Sequence, residues 1–149
     1  MIMSQKARCA VRAVLELSRR AGTGPVKAAE IARAQQIPVR FLENILWQLR
    51  LAGVVRSLRG KEGGYLLVKK PADLSMGELI RAVQGPVFAA DCLDPSKGVE
   101  CALKSSCVLL PVWESGHKAM MDVYDSTSFQ DLLERGFAAY ETGGVDYSI

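Results

Sequence analysis

Three of the four cysteines in this 149-residue chain, Cys92, Cys101 and Cys107, fall within sixteen residues, separated by eight and then five positions. Cys9 stands alone near the start. In a reducing compartment such thiols are free for metal or redox chemistry rather than a disulfide framework. Grouped thiolates are soft ligands suited to iron–sulfur clusters, zinc or copper(I). Structural zinc usually draws on close Cys pairs, roughly two to four residues apart, which this spacing lacks. Widely spaced thiolates on a polar loop suit a larger inorganic group, so Cys92, Cys101 and Cys107 are candidate ligands of an iron–sulfur cluster, 2Fe-2S or 4Fe-4S. The blander reading is three free cysteines, against which their crowding into one short polar loop counts. A fourth ligand is not assigned; Cys9, His117, Asp91, Asp94 and Glu100 are the available donors.

A second set of residues carries hydrogen-bonding chemistry. Val39, Arg40, Glu43 and Asn44 point away from a stripe of Phe41, Ile45 and Leu49 near the start of one helical segment. Arg pairs with guanine, Glu accepts from cytosine and Asn pairs with adenine at major-groove edges. Arg56, Arg59 and Lys61 flank a glycine-rich tip, Arg59-Gly60-Lys61-Glu62-Gly63-Gly64, suited to phosphate contact or a narrow minor groove. Lys6, Arg8 and Arg12 add backbone contacts from the first helix. The alternative is a wet helix face on a winged helix that binds protein. Enzyme chemistry finds no foothold: the one histidine, His117, lies among charges where solvation is expected, and the Gly60–Gly64 stretch lacks the Lys-Ser/Thr ending of a phosphate loop.

The elements that must position these groups follow from periodicity and punctuation. Ala7, Ala10, Val11, Val14, Leu15 and Leu17 predict a helix over 4–20, closed by Ala21-Gly22-Thr23-Gly24-Pro25. A short helix at about 27–35 buries Ala28, Ile31 and Ala32. After the turn Gln36-Ile37-Pro38, a third helix runs from Pro38 to Ala52, with Gly53 as its terminator. Residues 54–58 and 65–68 read as two strands around the glycine-rich tip. Ser75-Met76-Gly77-Glu78 is a capping box opening a fourth helix that ends near Gln84-Gly85-Pro86. Residues 86–110, with Pro86, Pro95, Gly98 and the clustered cysteines, read as a long loop that needs a ligand or a role to order it. Helices are expected over 112–124 and from Ser128 to about Tyr140, with a loosely held tail at 142–149. The fold class is mainly α with a small β wing: a winged helix-turn-helix domain at 1–85, a cysteine-bearing sensor loop at 86–110 and two helices at 111–141.

Charge supports this division. Residues 1–84 hold 15 Lys and Arg against six Asp and Glu, a net of +9, whereas residues 85–149 hold four against ten, a net of −6. A basic first half facing a polyanion and an acidic second half facing water account for the split, although two oppositely charged solvated faces would give it too. No apolar run approaches the roughly 20 residues of a membrane span. The first residues lead into an amphipathic pattern rather than a signal peptide, and a cytoplasmic chain is expected.

Here the chain resembles the Rrf-two (Rrf2) family of winged-helix regulators. The matching residues are Ala10-Val11-Arg12-Ala13, Ile31-Ala32, Phe41-Leu42-Glu43, Leu49-Arg50-Leu51-Ala52-Gly53-Val54-Val55, Ser57-Leu58-Arg59-Gly60, Gly63-Gly64-Tyr65, Ile80-Arg81-Ala82-Val83, Gly85-Pro86, the three cysteines and Trp113, spread over roughly residues 3–135. The resemblance implies a homodimer built on a long dimerisation helix near 112–124, binding a palindromic operator, most often as a repressor. It also implies base contacts at Glu43 and Arg59, and an iron–sulfur cluster on Cys92, Cys101 and Cys107 that senses redox state, nitric oxide or iron–sulfur status. Relatives without loop cysteines control sulfur metabolism, so a cluster-independent regulator that responds through thiols is the rival reading. The chain departs from the family pattern in five places, one of them Arg40, which stands where a small polar residue is common. The first cysteine gap is longer than the usual five, Leu110 stands where a family histidine ligand would be, and Arg8-Cys9 replaces an Asp-containing ligand position in the first helix. Pro38 replaces a Ser cap at the third.

Overall fold

The structure, a computed structural model, describes residues 3–141, with side chains described to residue 136. The tail expected at 142–149 lies outside the described residues. The order of elements is α1 (Gln5–Arg19), α2 (Ala28–Gln35), α3 (Val39–Leu51), β1 (Val55–Leu58), β2 (Gly64–Leu67), α4 (Met76–Gln84), α5 (Leu110–Ser126) and α6 (Phe129–Glu141). This is the mainly α fold with a small β wing that the sequence predicts.

α1 starts where Ser4 accepts a hydrogen bond from the Ala7 amide at 3.1 Å, and the Ser4 hydroxyl donates to Gln84 Oε1 at 2.9 Å, tying the head of α1 to the end of α4. Ala7, Ala10 and Ala13 are small, and with Val14 and Leu17 they line a face against which α2, α3, α4 and α6 pack. α2 closes through Gln36, whose left-handed φ of 50° turns the chain so that the Ile37 amide reaches the Ala32 carbonyl at 2.9 Å. Pro38 and Ala52 prove to be the caps of α3 rather than its first and last residues. The reason at Pro38 is its ψ of 129°, an extended value typical of a residue that precedes the first helical turn. At the far end Gly53 has φ 72°, and the Val54 amide bonds the Leu49 carbonyl at 2.9 Å, the glycine termination expected there.

β1 and β2 pair antiparallel with Val55 opposite Leu67 and Leu58 opposite Gly64. The wing is moored to the domain by Val26, whose amide donates to the Tyr65 carbonyl at 3.0 Å while the Tyr65 amide returns a bond of 2.8 Å. A Cβ on Gly64 would sit 2.6 Å from the Val26 carbonyl oxygen, so this close approach requires glycine. α4 opens with Ser75 accepting from the Glu78 amide at 3.1 Å, while the Glu78 carboxylate pairs instead with Lys69 at 2.7 Å.

Between α4 and α5 the backbone forms three short 3-10 turns, Asp91–Leu93, Pro95–Lys97 and Lys104–Ser106. α5 begins two residues before the expected Val112, because Pro111 fits its first turn, and it continues to Ser126. The Met76 amide then bonds the Thr127 carbonyl at 2.9 Å and the Phe129 amide bonds Leu74 at 3.0 Å, and Phe129 is fully buried in the same core as α1 and α3. No helix among the described residues is long and apolar enough to cross a membrane.

Among the described residues one charged side chain, Glu16, lies inside. Glu16 is only 3% exposed, with its carboxylate accepting from Arg19 at 2.7 Å, Arg20 at 2.6 Å and Gln35 at 3.2 Å. Burial works to raise its pKa, but these hydrogen bonds and the Arg19 charge outweigh it and hold the carboxyl below its ordinary 4.5. A depressed folded pKa contributes stability that is present above the unfolded value and lost as pH falls through the folded one. Glu16→Gln is therefore expected to cost about 1–3 kcal/mol at neutral pH. Urea unfolding at pH 7 and pH 3 checks this; the gap from wild type should narrow in acid, and a gap of constant size would contradict the account.

Candidate nucleic-acid interface and cysteine loop

α3 buries Leu42, Ile45, Leu46 and Leu49 completely. The opposite face carries Arg40, Glu43 and Asn44, all exposed, with Val39 exposed beside them at the helix start. α3 packs on β1, and its Arg50 guanidinium donates to the Ser57 hydroxyl at 3.4 Å, so helix and wing adjoin. Arg56 on β1 and Arg59 and Lys61 at the wing tip are exposed. These seven residues are thus on the solvent side of neighbouring elements. On α1, Arg8 and Arg12 are exposed and Lys6 is partly buried. Arg12 also donates to the Gln35 carbonyl at the end of α2, a bond that gives it a structural role in holding α1 to α2. The groove-facing positions singled out from the sequence stop at Asn44, yet the exposed face continues to Trp47 and Leu51. The signal for them was helical spacing alone, since Trp47 stands seven residues after Arg40.

The cysteines divide sharply. Cys9 lies in the core of α1 and is removed as an accessible donor. Cys92 and Cys107 are partly buried and Cys101 is exposed, all as free thiols. Cys92 and Cys101 line two cavities that share Val99, Glu100 and Lys104, whereas Cys107 lines neither. Among the described residues no three His, Cys, Asp or Glu side chains gather as a metal site. Two carboxylates have other work. Asp91 pairs with Lys97 at 2.5 Å, and Asp94 caps a turn by accepting from the Ser96 hydroxyl at 2.6 Å and amide at 2.9 Å, which lowers its pKa.

His117 corrects the expectation of a solvated side chain. It is partly buried and stacks on Phe88, with ring centroids 5.5 Å apart, and its Nδ1 is buried without a hydrogen-bond partner. Its charged sequence neighbours Glu114 and Lys118 concealed the contact, because Phe88 lies 29 positions away at the mouth of the loop. Three soft thiols on one loop are the donor type that an iron–sulfur group takes, although Cys92 lies within the turn Asp91–Leu93 and the three are not gathered among the described residues.

α5 buries no side chain. With Leu109 at its cap, Val112, Gly116 and Val123 fall within an arc of about 60° at roughly 100° per residue, and the three apolar side chains are exposed. An unpartnered apolar flank of this kind marks an interaction surface.

A helix-turn-helix whose second helix shows a polar outer face, followed by a basic two-stranded wing, defines a winged helix-turn-helix DNA-binding regulator. The chain belongs to the Rrf2 family, described as iron-dependent transcriptional regulators, whose family model matches residues 3–135. It is 37% identical over 141 residues to an Rrf2-like HTH-type transcriptional regulator of Rhodobacter capsulatus, covering 91% of this chain and 94% of that one. Among solved structures, CymR of B. subtilis, titled its global cysteine regulator, superposes with a TM-score of 0.78 at 30% identity, covering 91% of this chain and 98% of that one. T. potens IscR superposes at 0.74 with 31% identity, covering 99% and 96%. The relatives are transcriptional regulators, and the expectation that the chain is not an enzyme stands on them.

Thiol accessibility gives a direct check of this arrangement. Alkylation followed by peptide mass spectrometry is expected to label Cys101 first, Cys92 and Cys107 more slowly, and Cys9 only when the domain unfolds. Labelling of Cys9 at the rate of Cys101 would contradict its place in the core.

Proposed function

We propose that the protein is a homodimeric regulator, acting as a repressor, that grips a palindromic operator through α3 and the wing, with affinity governed by an iron–sulfur cluster on Cys92, Cys101 and Cys107. The observation that carries the DNA contact is the shared solvent face of Arg40, Glu43 and Asn44 on α3 with Arg56, Arg59 and Lys61 on the adjoining wing. In this reading Arg40, Glu43 and Asn44 meet base edges with Val39 beside them, and Arg59 enters the minor groove, while Lys6, Arg8 and Arg12 reach phosphates from α1. The exposed apolar flank of α5 supports the dimer, with each copy covering the other's Val112 and Val123. Two such heads must match half-sites about 34 Å apart, so a small change in their separation costs specific binding.

A cluster held by the three loop thiolates supplies electron-transfer and ligand-exchange chemistry responsive to redox state, nitric oxide or iron–sulfur supply. The protein's part is to change the loop's order between loaded and unloaded forms, and only a difference in stability between two head arrangements transmits that change. The second reading is a cluster-independent regulator acting through thiols. It is favoured by the absence of a gathered three-ligand site among the described residues and by the superposition on CymR.

Anaerobic purification with iron and acid-labile sulfide analysis separates the two. The first reading expects a brown protein whose affinity for a selected duplex changes when the metal is stripped. A colourless protein with full affinity supports the second. Alanine at Cys92, Cys101 or Cys107 should abolish stable iron and sulfide binding, and retained stoichiometry would remove that residue from the ligand set. Arg59→Ala should weaken duplex binding and reduce the slope of log affinity against log salt by about 1. An unchanged slope would exclude the wing contact.

A further inference from the structure

α3 carries a residue that the DNA-contacting set does not explain. Trp47 is 53% exposed, an unusual place for the largest side chain, and it makes no hydrogen bond or ring contact among the described residues. At about 100° per residue it lies roughly 20° around the helix from Arg40 and about 160° from Leu49, which is fully buried. It therefore sits in the middle of the outer face, between the azimuths of Glu43 and Asn44. The positions Arg40, Glu43, Asn44 and Trp47 run i, i+3, i+4 and i+7. Recognition helices of other folds read the major groove with that spacing. Trp47 is about 10 Å along the axis from Arg40, within the span of a helix lying in a groove about 12 Å wide. The exposed side chains of α3 and the adjoining wing include Arg40, Arg50, Arg56 and Arg59, against one acid on α3, Glu43, a net cationic surface that suits a polyanion.

We propose that Trp47 is a specificity-determining residue of the DNA interface, its indole packing on thymine C5-methyl groups in the major groove. The chemistry follows from the side chain. An indole has one N–H donor and a large apolar surface, so it discriminates by methyl contact and by excluding water, not by reading donor and acceptor patterns. A phosphate contact by the single indole N–H carries no sequence information, so its loss would weaken the selected and scrambled duplexes alike. This inference rests on the DNA-binding reading and adds to it a thymine preference beneath the third turn of α3.

The test uses the full-length protein and a duplex selected by it from a randomised pool, with a scrambled duplex as control. Trp47→Ala is expected to lose about tenfold in affinity for the selected duplex and little for the scrambled one, with the salt slope unchanged. Replacing the contacted thymines by deoxyuridine, which removes only the methyl groups, should weaken wild type by a similar factor and leave Trp47→Ala unaffected. Duplex-induced quenching of tryptophan emission should be present in wild type and lost in Trp47→Phe. Circular dichroism of Trp47→Gln checks that the helix persists, as expected for an exposed position. Equal loss on both duplexes, or a deoxyuridine penalty retained in Trp47→Ala, would overturn the methyl contact while leaving the DNA-binding reading intact. Failure of wild type to select any sequence would remove both.

Discussion

The rotational phase of α3 is the constraint on which the rest depends. Leu42, Ile45, Leu46 and Leu49 are wholly buried against a helix faced with Ala7, Ala10 and Ala13, and no other rotation of α3 buries all four. Full burial of each such side chain is worth about 1.5–3 kcal/mol, so a turn of 100° that exposed even two of them would cost more than any surface contact returns. Because the phase is fixed from within, Arg40, Glu43, Asn44 and Trp47 point outward before any ligand arrives. Preorganisation of this kind means that binding spends little free energy on ordering the reading face.

The wing inherits its position from the same core. The chain leaves α3 through Gly53, and Val54 and Val55 are buried directly after it. Val26 then holds β2 from the other side. Arg56 thus stands on β1, paired to a β2 that Val26 holds from its other side, and Arg59 follows at the wing tip, while their charges remain in water. The cost of gathering cations in this half is moderated locally: Glu16 takes Arg19 and Arg20, and Glu30 takes Arg20 as well. Those acids neutralise the far end of α1 and leave the α3 and wing side basic.

Much of this was legible from residues alone because it is local. Periodicity marks α3 to within one residue at each end, and Ser75 with Glu78 marks the start of α4. Gly53 marks a left-handed terminus. What escaped depends on contacts across long sequence separations. Cys9 reads as a candidate ligand when seen beside Arg8, yet its helical phase with Ala13 and Glu16 puts it inside. His117 reads as solvated among Glu114 and Lys118, yet Phe88 covers it. Phe129 belongs to the core through the pairing of Leu74 and Met76 with Thr127 and Phe129, which no local pattern announces. The loop between α4 and α5 defeats pattern reading for a different reason: its turns are set by single contacts such as Asp94 with Ser96, which carry no periodicity.

The strengths of the attachments also decide which part of the molecule is free to move. α6 is joined to the head by two backbone hydrogen bonds and by the buried ring of Phe129, so head and α6 behave as one body. α5 is joined to α4 by Arg81 and Asp125 at 2.7 Å, an ion pair more than 40% exposed on both sides, and such pairs contribute about 0–1 kcal/mol. Gly77 leaves the room that Asp125 occupies, since a Cβ there would meet its carboxylate. Along α5 no side chain is fully buried, but its inner face packs on α4, with half-buried Met120 and Tyr124 near Ile80 and Gln84, and nearer its start His117 stacks on Phe88. The amino-terminal half of α5 therefore meets the start of the cysteine-bearing loop through that stack. A reordering of that loop would act first on α5, and reach α3 through the packing of α5 on α4 and of α4 on α3. Leu109, Val112 and Val123 take no part in that packing and stay exposed, an apolar flank of the kind that marks an interaction surface.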